Sequence, residues 1–209
     1  QQTELFNLDF QAGAPPDDFA VKGQNWGFPT YNWLCMKQDG FAWWKQRFEQ
    51  MSDYFDAFRI DHILGFFRIW SIPLHAVEGI MGHFVPCIPI HGNEFLEHKI
   101  VFDINRFTKP FINEKILWEI FGYDNELVKQ TFLNDDGVEL YTLKNEFSTQ
   151  VQVHKYFEFL ESSDHNKKLR QGIFDLISNI ILLEVEQSNG TEFHFRFGIE
   201  QTSSFKYLD

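Results

Sequence analysis

The sequence predicts an α/β fold that gives way to a mostly helical part, on three observations. A helical pattern over residues 39–55 runs directly into an apolar segment, 56–61, of strand character. Helix followed by strand across a short joint is the signature of an α/β unit. Near residue 78 the character changes, from a stretch dense in Gly, Pro, Trp and Asp to helical patterns joined by polar connections. With 209 residues, 44% of them hydrophobic, the chain can bury a sizeable core in one or two domains.

The elements follow in order. Residues 11–33, QAGAPPDDFAVKGQNWGFPTYNW, read as a long irregular loop. Pro15, Pro16 and Pro29 break regular elements there, while Gly13, Gly23 and Gly27 allow unusual dihedrals. A loop of this length, rich in aromatics and amides, is commonly functional. Next comes a helix with Asp39 as its N-cap. Phe41, Trp44, Phe48, Met51 and Phe55 recur along it at three and four residues, a stripe read as packing against a sheet or helix layer.

In the predicted strand DAFRID (56–61), Phe58 and Ile60 point to one face and Arg59 and Asp61 to the other. Positions two apart lie about 6.6 Å from each other along a strand, so the opposite charges can pair directly or through a bridging group. Spacing alone leaves two readings open, a self-satisfied buried salt bridge or the charged wall of a barrel or cleft.

Beyond residue 78, NEKILWEIFG (113–122) has an Asn cap, a stripe of Ile116, Leu117, Ile120 and Phe121, and a closing Gly122. Trp118, beside Leu117 at the edge of that stripe, is expected in the core rather than on a sugar-binding platform. NKKLRQGIFDLISNIILLEVEQ (166–187) predicts a longer helix that buries Leu169, Ile173, Leu176, Ile177, Ile180 and Leu183. TEFHFRFGI (191–199) alternates Phe193, Phe195 and Phe197 with His194 and Arg196, a half-buried strand or extended segment.

Composition narrows the functions. A formal charge of −12 with no Lys/Arg cluster opposes binding to nucleic acid or to an anionic membrane. No apolar run approaches the roughly 18 to 20 residues of a membrane span. Aromatics make up 18% of the chain, with 25 Phe and 6 Trp, more than a core strictly needs and suited to stacking on sugar rings or apolar ligands. Cys35 and Cys87 stand in no ligand or CxxC spacing, which predicts a reducing, cytoplasmic setting. His75, His83, His91 and His98 invite a metal reading, but Pro73, Pro86 and Pro89 interrupt the stretch and no zinc spacing occurs, so no metal site is predicted. NDDG (134–137) reads as a polar turn rather than a calcium loop. The chain begins at Gln1 without an initiator Met, and is expected to be a piece of something larger.

FDAFRIDHILGFFRIW, with GAPPDDF and GQNWGFPTYNW upstream in the same order, resembles the 4-alpha-glucanotransferases of glycoside hydrolase family 77, the amylomaltase or disproportionating-enzyme family. The resemblance runs from Gly13 to Trp70. It implies part of a (β/α)8 TIM barrel around its fourth strand over residues 1–78, with Asp61 as catalytic nucleophile and Arg59 as its electrostatic partner. It further implies sugar contacts by His62, an aromatic cleft lining at Trp26 with Asn25 in the same block, and a weaker candidate contact at Asp17 in the loop over the bound glucan. The implied reaction is retaining transfer from an alpha-1,4-glucan or maltose donor to a glycan acceptor, without metal or organic cofactor. Residues 79–199 resemble a mostly helical insertion in the larger branch of the family, and 200–209 a return toward the barrel.

The chain departs from the family in one respect. The Glu-Asp-Leu-Gly block of the general acid/base and the Thr-His-Asp block of the third carboxylate are absent. The chain is therefore expected to be an inactive fragment carrying only the nucleophile. The alternative is a non-catalytic glycan-binding or assembly module. A hydrolase of the alpha-amylase clan is opposed by GQNWGFP and PPDDF.

Overall fold

The computed structural model describes residues 2–185 and 188–208. The chain opens with β1 (Phe6–Ala14), β2 (Gln24–Tyr31), α1 (Trp33–Gln38), α2 (Ala42–Ser52), a 3-10 turn at Ile63–Phe66 and β3 (Ile69–Pro73). Then follow β4 (His83–Val85), β5 (Ile90–His91), α3 (Gly92–Glu97), α4 (Ile104–Thr108), β6 (Ile112–Asn113), α5 (Glu114–Phe121) and α6 (Asn125–Phe132). The chain continues through β7 (Leu133–Gly137), β8 (Leu140–Leu143), α7 (Gln150–Glu158), α8 (Asp164–Ile177), β9 (Leu182–Glu184), β10 (Glu192–Phe195) and α9 (Ser203–Lys206). One sheet has the order β2-β1-β3-β4, and two smaller ones run β5-β10-β9 and β6-β8-β7. Helices and sheets are mixed, and every strand pair among the described residues is antiparallel.

The segment 11–33 is not the predicted loop. Its ends are strands β1 and β2, and only residues 15–23 connect them irregularly. Pro29 is tolerated because β2 is the edge of its sheet. Gly27, at φ 72°, lies where β2 is interrupted by register shifts that bend it.

The predicted helix over 39–55 forms as one shorter helix, Ala42–Ser52. Phe41 precedes α2 in the left-handed conformation (φ 62°), and Asp39 caps from two residues further out, accepting from the Ala42 N–H at 3.1 Å. Residues 56–61 belong to no sheet, and no backbone-to-backbone hydrogen bond ties them to another described segment. A strand exists only where a neighbour completes its ladder, and no described strand lies alongside.

The helix at 113–122 forms as predicted. Asn113 accepts from the Ile116 N–H at 2.9 Å, and Ile116 and Leu117 are buried. Trp118, however, is 54% exposed rather than in the core. The helix predicted over 166–187 ends at Ile177, because Asn179 leaves the helical path to accept from the Ser204 N–H and donate to the Phe111 carbonyl. Ile180, Ile181 and Leu182 stay buried, now in the connection and in β9. Glu186 and Gln187, the end of that predicted helix, lie outside the described residues, as do Gln1 and Asp209. In β10 the alternation fails after Phe193, with Phe195 exposed and Arg196 buried.

Among the described residues, 79–199 hold six α-helices but also seven short strands, more sheet than the helical patterns predict. The main core packs Ile116, Leu117, Val128, Val153, Ile173 and Leu176, and a second one joins Trp70 and Ile72 to Ile80, Met81 and Ile180. The compositional break near residue 78 is bridged by β4, which pairs with β3.

Candidate active site

The edge strand β2, helix α2, the segment 58–62 and the 3-10 turn enclose a cleft of about 320 Å³. Its rim carries the predicted charges. Arg59 Nη2 donates to Asp61 Oδ1 at 2.7 Å, and both side chains are open to solvent, 86% and 82% exposed. The pair forms as the spacing allowed, but at a cleft rim and not in a core.

His62 adopts the left-handed region (φ 51°, ψ 52°), which is uncommon for a side-chain-bearing residue and aims its ring sharply. That ring meets Trp26 edge to face, with centroids 5.2 Å apart at 86°. Gly65 matters here, since a Cβ on it would sit 3.0 Å from His62 Cδ2. Trp26 is held on its other side by stacking on Phe28 at 5.8 Å and by donating from Nε1 to Gln24 Oε1 at 3.1 Å.

The floor is aromatic. Trp44 lies 4.9 Å from Phe66, Phe48 stacks on Phe58 at 5.1 Å, and Trp33 lies 5.7 Å from Phe66. Trp44, Phe48 and Met51, read from sequence as a packing stripe, face this cleft, and α2 buries none of its residues. The Trp44 Nε1–H is enclosed without a hydrogen-bond partner among the described residues. Apolar residues at helical spacing look alike whether they cover a core or floor a cleft, so the only signal for Trp33, Trp44 and Phe48 was the excess of aromatics.

Two predicted residues do not join. Asn25 donates to the Val77 carbonyl at 3.3 Å and accepts from the Gly27 N–H at 3.0 Å, which fixes β2 rather than facing the cleft. Asp17 accepts from the N–H groups of Phe19 (2.9 Å) and Ala20 (2.6 Å), closing its own turn.

A second, larger groove of about 1610 Å³ holds His83, His194 and Cys87. The two imidazoles stack at 4.3 Å, and Cys87 Sγ lies 3.3 Å from His194 Nδ1. Burial first, and the neighbouring His194 second, push His83 down to about 4. Burial also lowers His194 and raises the Cys87 thiol. This is a neutral cluster near pH 7, without a poised thiolate. Among the described residues no group of three or more His, Cys, Asp or Glu is arranged to hold a metal ion, and no helix is long and apolar enough to cross a membrane.

Comparison with known proteins adds the following. A family model described as 4-alpha-glucanotransferase matches residues 1–173. A rice (Oryza sativa subsp. japonica) 4-alpha-glucanotransferase is 41% identical over 212 residues, covering 98% of this chain and 22% of the rice protein. The chloroplastic/amyloplastic 4-alpha-glucanotransferase of Solanum tuberosum is 46% identical over 71 residues, 34% of this chain and 12% of its own length. A solved structure of the Streptococcus agalactiae amylomaltase in complex with acarbose aligns at a TM-score of 0.40 and 23% identity, covering 86% of this chain and 42% of that one. The chain thus spans about a fifth of the rice relative and less of the potato one.

Proposed function

Because this chain belongs to the 4-alpha-glucanotransferase family, glycoside hydrolase family 77, we propose that it carries the nucleophile half of a retaining glucan-transfer site. The observation that carries this reading is the Arg59–Asp61 pair, set with His62 and Trp26 on an aromatic cleft. Asp61 attacks the anomeric carbon of an alpha-1,4-glucan or maltose donor, and the glycosidic oxygen departs with a proton from a carboxylic acid. The glycosyl group then passes from that ester to a hydroxyl of an acceptor glycan, whose proton is taken up by the carboxylate of the spent acid, which restores the acid and frees Asp61.

Arg59 holds the attacking carboxylate in register at 2.7 Å. Trp26, Trp44 and Phe48 stack on the apolar faces of the sugar and limit water, so that an acceptor sugar competes for the intermediate. His62 offers its ring nitrogens to sugar hydroxyls. Asn25 keeps Trp26 in place, and Asp17 shapes the 15–23 connection that closes on the glucan. The sequence contains no acid/base block, so transfer belongs to a longer protein. Residues 1–78 are read as part of its barrel and 79–199 as an insertion, supported by a potato relative that aligns with 71 residues and a rice one that aligns with nearly all. Free Cys35 and Cys87 support a reducing, cytoplasmic setting.

The test is Asp61→Asn in that longer enzyme. Maltose disproportionation should fall about a thousandfold or more, and a glycosyl adduct on the peptide containing Asp61 should vanish from the wild-type pattern. Near-normal turnover would overturn the assignment.

A further inference from the structure

We propose that Trp118 and Tyr123 form a second glucan-binding surface, separate from the cleft around Asp61. Helix α5 is a rigid support, since Ile116 and Leu117 on its inner side are almost fully buried. Trp118 nevertheless stands 54% exposed on its outer side. Gly122, at φ 54° and ψ −121°, turns the chain so that Tyr123, 94% exposed, comes back beside the helix. The two ring centroids lie 5.6 Å apart at 80°.

Two aromatic faces at nearly a right angle make an open corner. A pyranose ring fits such a corner because its C–H face stacks on one ring while its edge meets the other. The Trp118 N–H and the Tyr123 hydroxyl make no hydrogen bond among the described residues, so both are available to sugar hydroxyls. Asp124, next to Tyr123 along the chain and 3.7 Å from His165, adds an acceptor.

The chemistry of the occupant follows from what surrounds the rings. Lys115 and Glu119 flank Trp118 on the helix and neutralise each other at 4.0 Å. With Asp124 adjacent and a net charge of −12, an anionic polymer is repelled. A protein partner needs about 1,000 Å² of complementary surface, and two rings bounded by charges offer far less. A neutral chain of sugars needs no more than the two rings. That the sugar is an alpha-glucan rests on the function proposed above.

Electrophoresis of the whole 209-residue chain through gels containing glycogen tests this, with xylan gels as control. The wild-type chain should be retarded by glycogen and not by xylan. Trp118→Ala and Tyr123→Ala should each weaken the retardation about three- to tenfold, as expected for one aromatic contact, and Trp118→Phe should restore most of it. Both side chains are exposed, so unchanged melting and circular dichroism should accompany the loss. No retardation of the wild type, equal retardation by xylan, or retardation indifferent to both alanine variants would overturn the platform. The readout needs no turnover, so it fails or stands independently of the Asp61→Asn assay.

Discussion

Asp61 and His83 differ in how their surroundings act on them. Asp61 is held by one partner, Arg59, at an open rim, whereas His83 is enclosed against His194 and kept neutral. The enclosure gives a pH dependence whose sign can be worked out. An unfolded His83 titrates near its ordinary 6.5, and the folded one at about 4. As pH falls below 6.5 the unfolded chain takes up the proton first, so the contribution of a neutral His83 is complete above 6.5 and is lost toward 4. The full span is about 3 kcal/mol at most. Urea midpoints measured between pH 7 and 4 should therefore fall less steeply for His83→Gln than for the wild type, and identical slopes would refute the account. The site itself was legible residue by residue only where a motif carried it. Arg59, Asp61, His62 and Trp26 line one cleft, while Asn25 and Asp17 bond to the chain around them. Trp118 was misread because an aromatic beside a helical stripe has the same spacing whether it faces in or out.

At the scale of elements, helices with their own caps could be read from sequence and strands could not. Helix α5 carries its start and stop in Asn113 and Gly122, and its bonds are local. Strand pairing depends on a distant partner, which is why β2 was taken for loop and 56–61 for strand. Glycine is needed at Gly79, just past the compositional break, for a reason only the fold shows. A Cβ on Gly79 would lie 2.5 Å from the Gln24 N, 2.7 Å from the Gly23 carbonyl carbon and 2.9 Å from the Ala14 oxygen, all of them backbone atoms of the β1–β2 connection and its flanks. Backbone cannot step aside as a flexible side chain would, so Gly79→Ala should cost about 1–3 kcal/mol. Chemical denaturation would measure that loss against Gly92→Ala, where the nearest atom is 3.6 Å away and belongs to a side chain. Equal stability of the two variants would show that this junction yields more easily than its packing implies.

Across the whole molecule, the sheet bearing the cleft and the helices of the later residues are joined by a polar core rather than by a linker. Gln150 is 1% exposed, and its Oε1 accepts from the Val77 and Glu78 N–H groups, each at 2.9 Å. Its Nε2 donates to Glu78 Oε2 at 3.1 Å, and Gln171 donates to the other oxygen of that carboxylate at 2.9 Å and to Asp175 at 3.0 Å. Asp175 in turn receives Lys22 at 2.6 Å, so α7 and α8 reach the 15–23 connection beside the cleft through a single chain of contacts. Ile180, packed with Trp70 and Ile72, adds an apolar link to the same sheet. Parts joined in this way should unfold together. Five of the six tryptophans, Trp26, Trp33, Trp43, Trp44 and Trp70, lie in the first 70 residues, whereas most helical residues lie beyond residue 90. Tryptophan fluorescence and far-ultraviolet circular dichroism therefore report the two parts separately, and their urea transitions should coincide. Gln150→Ala strands two half-buried backbone donors and one side of a carboxylate, a loss of about 1–3 kcal/mol, and should move both transitions by the same amount. If the fluorescence transition came first and the variant shifted only one of the two curves, the later residues would be an independent domain and the polar core merely their contact surface.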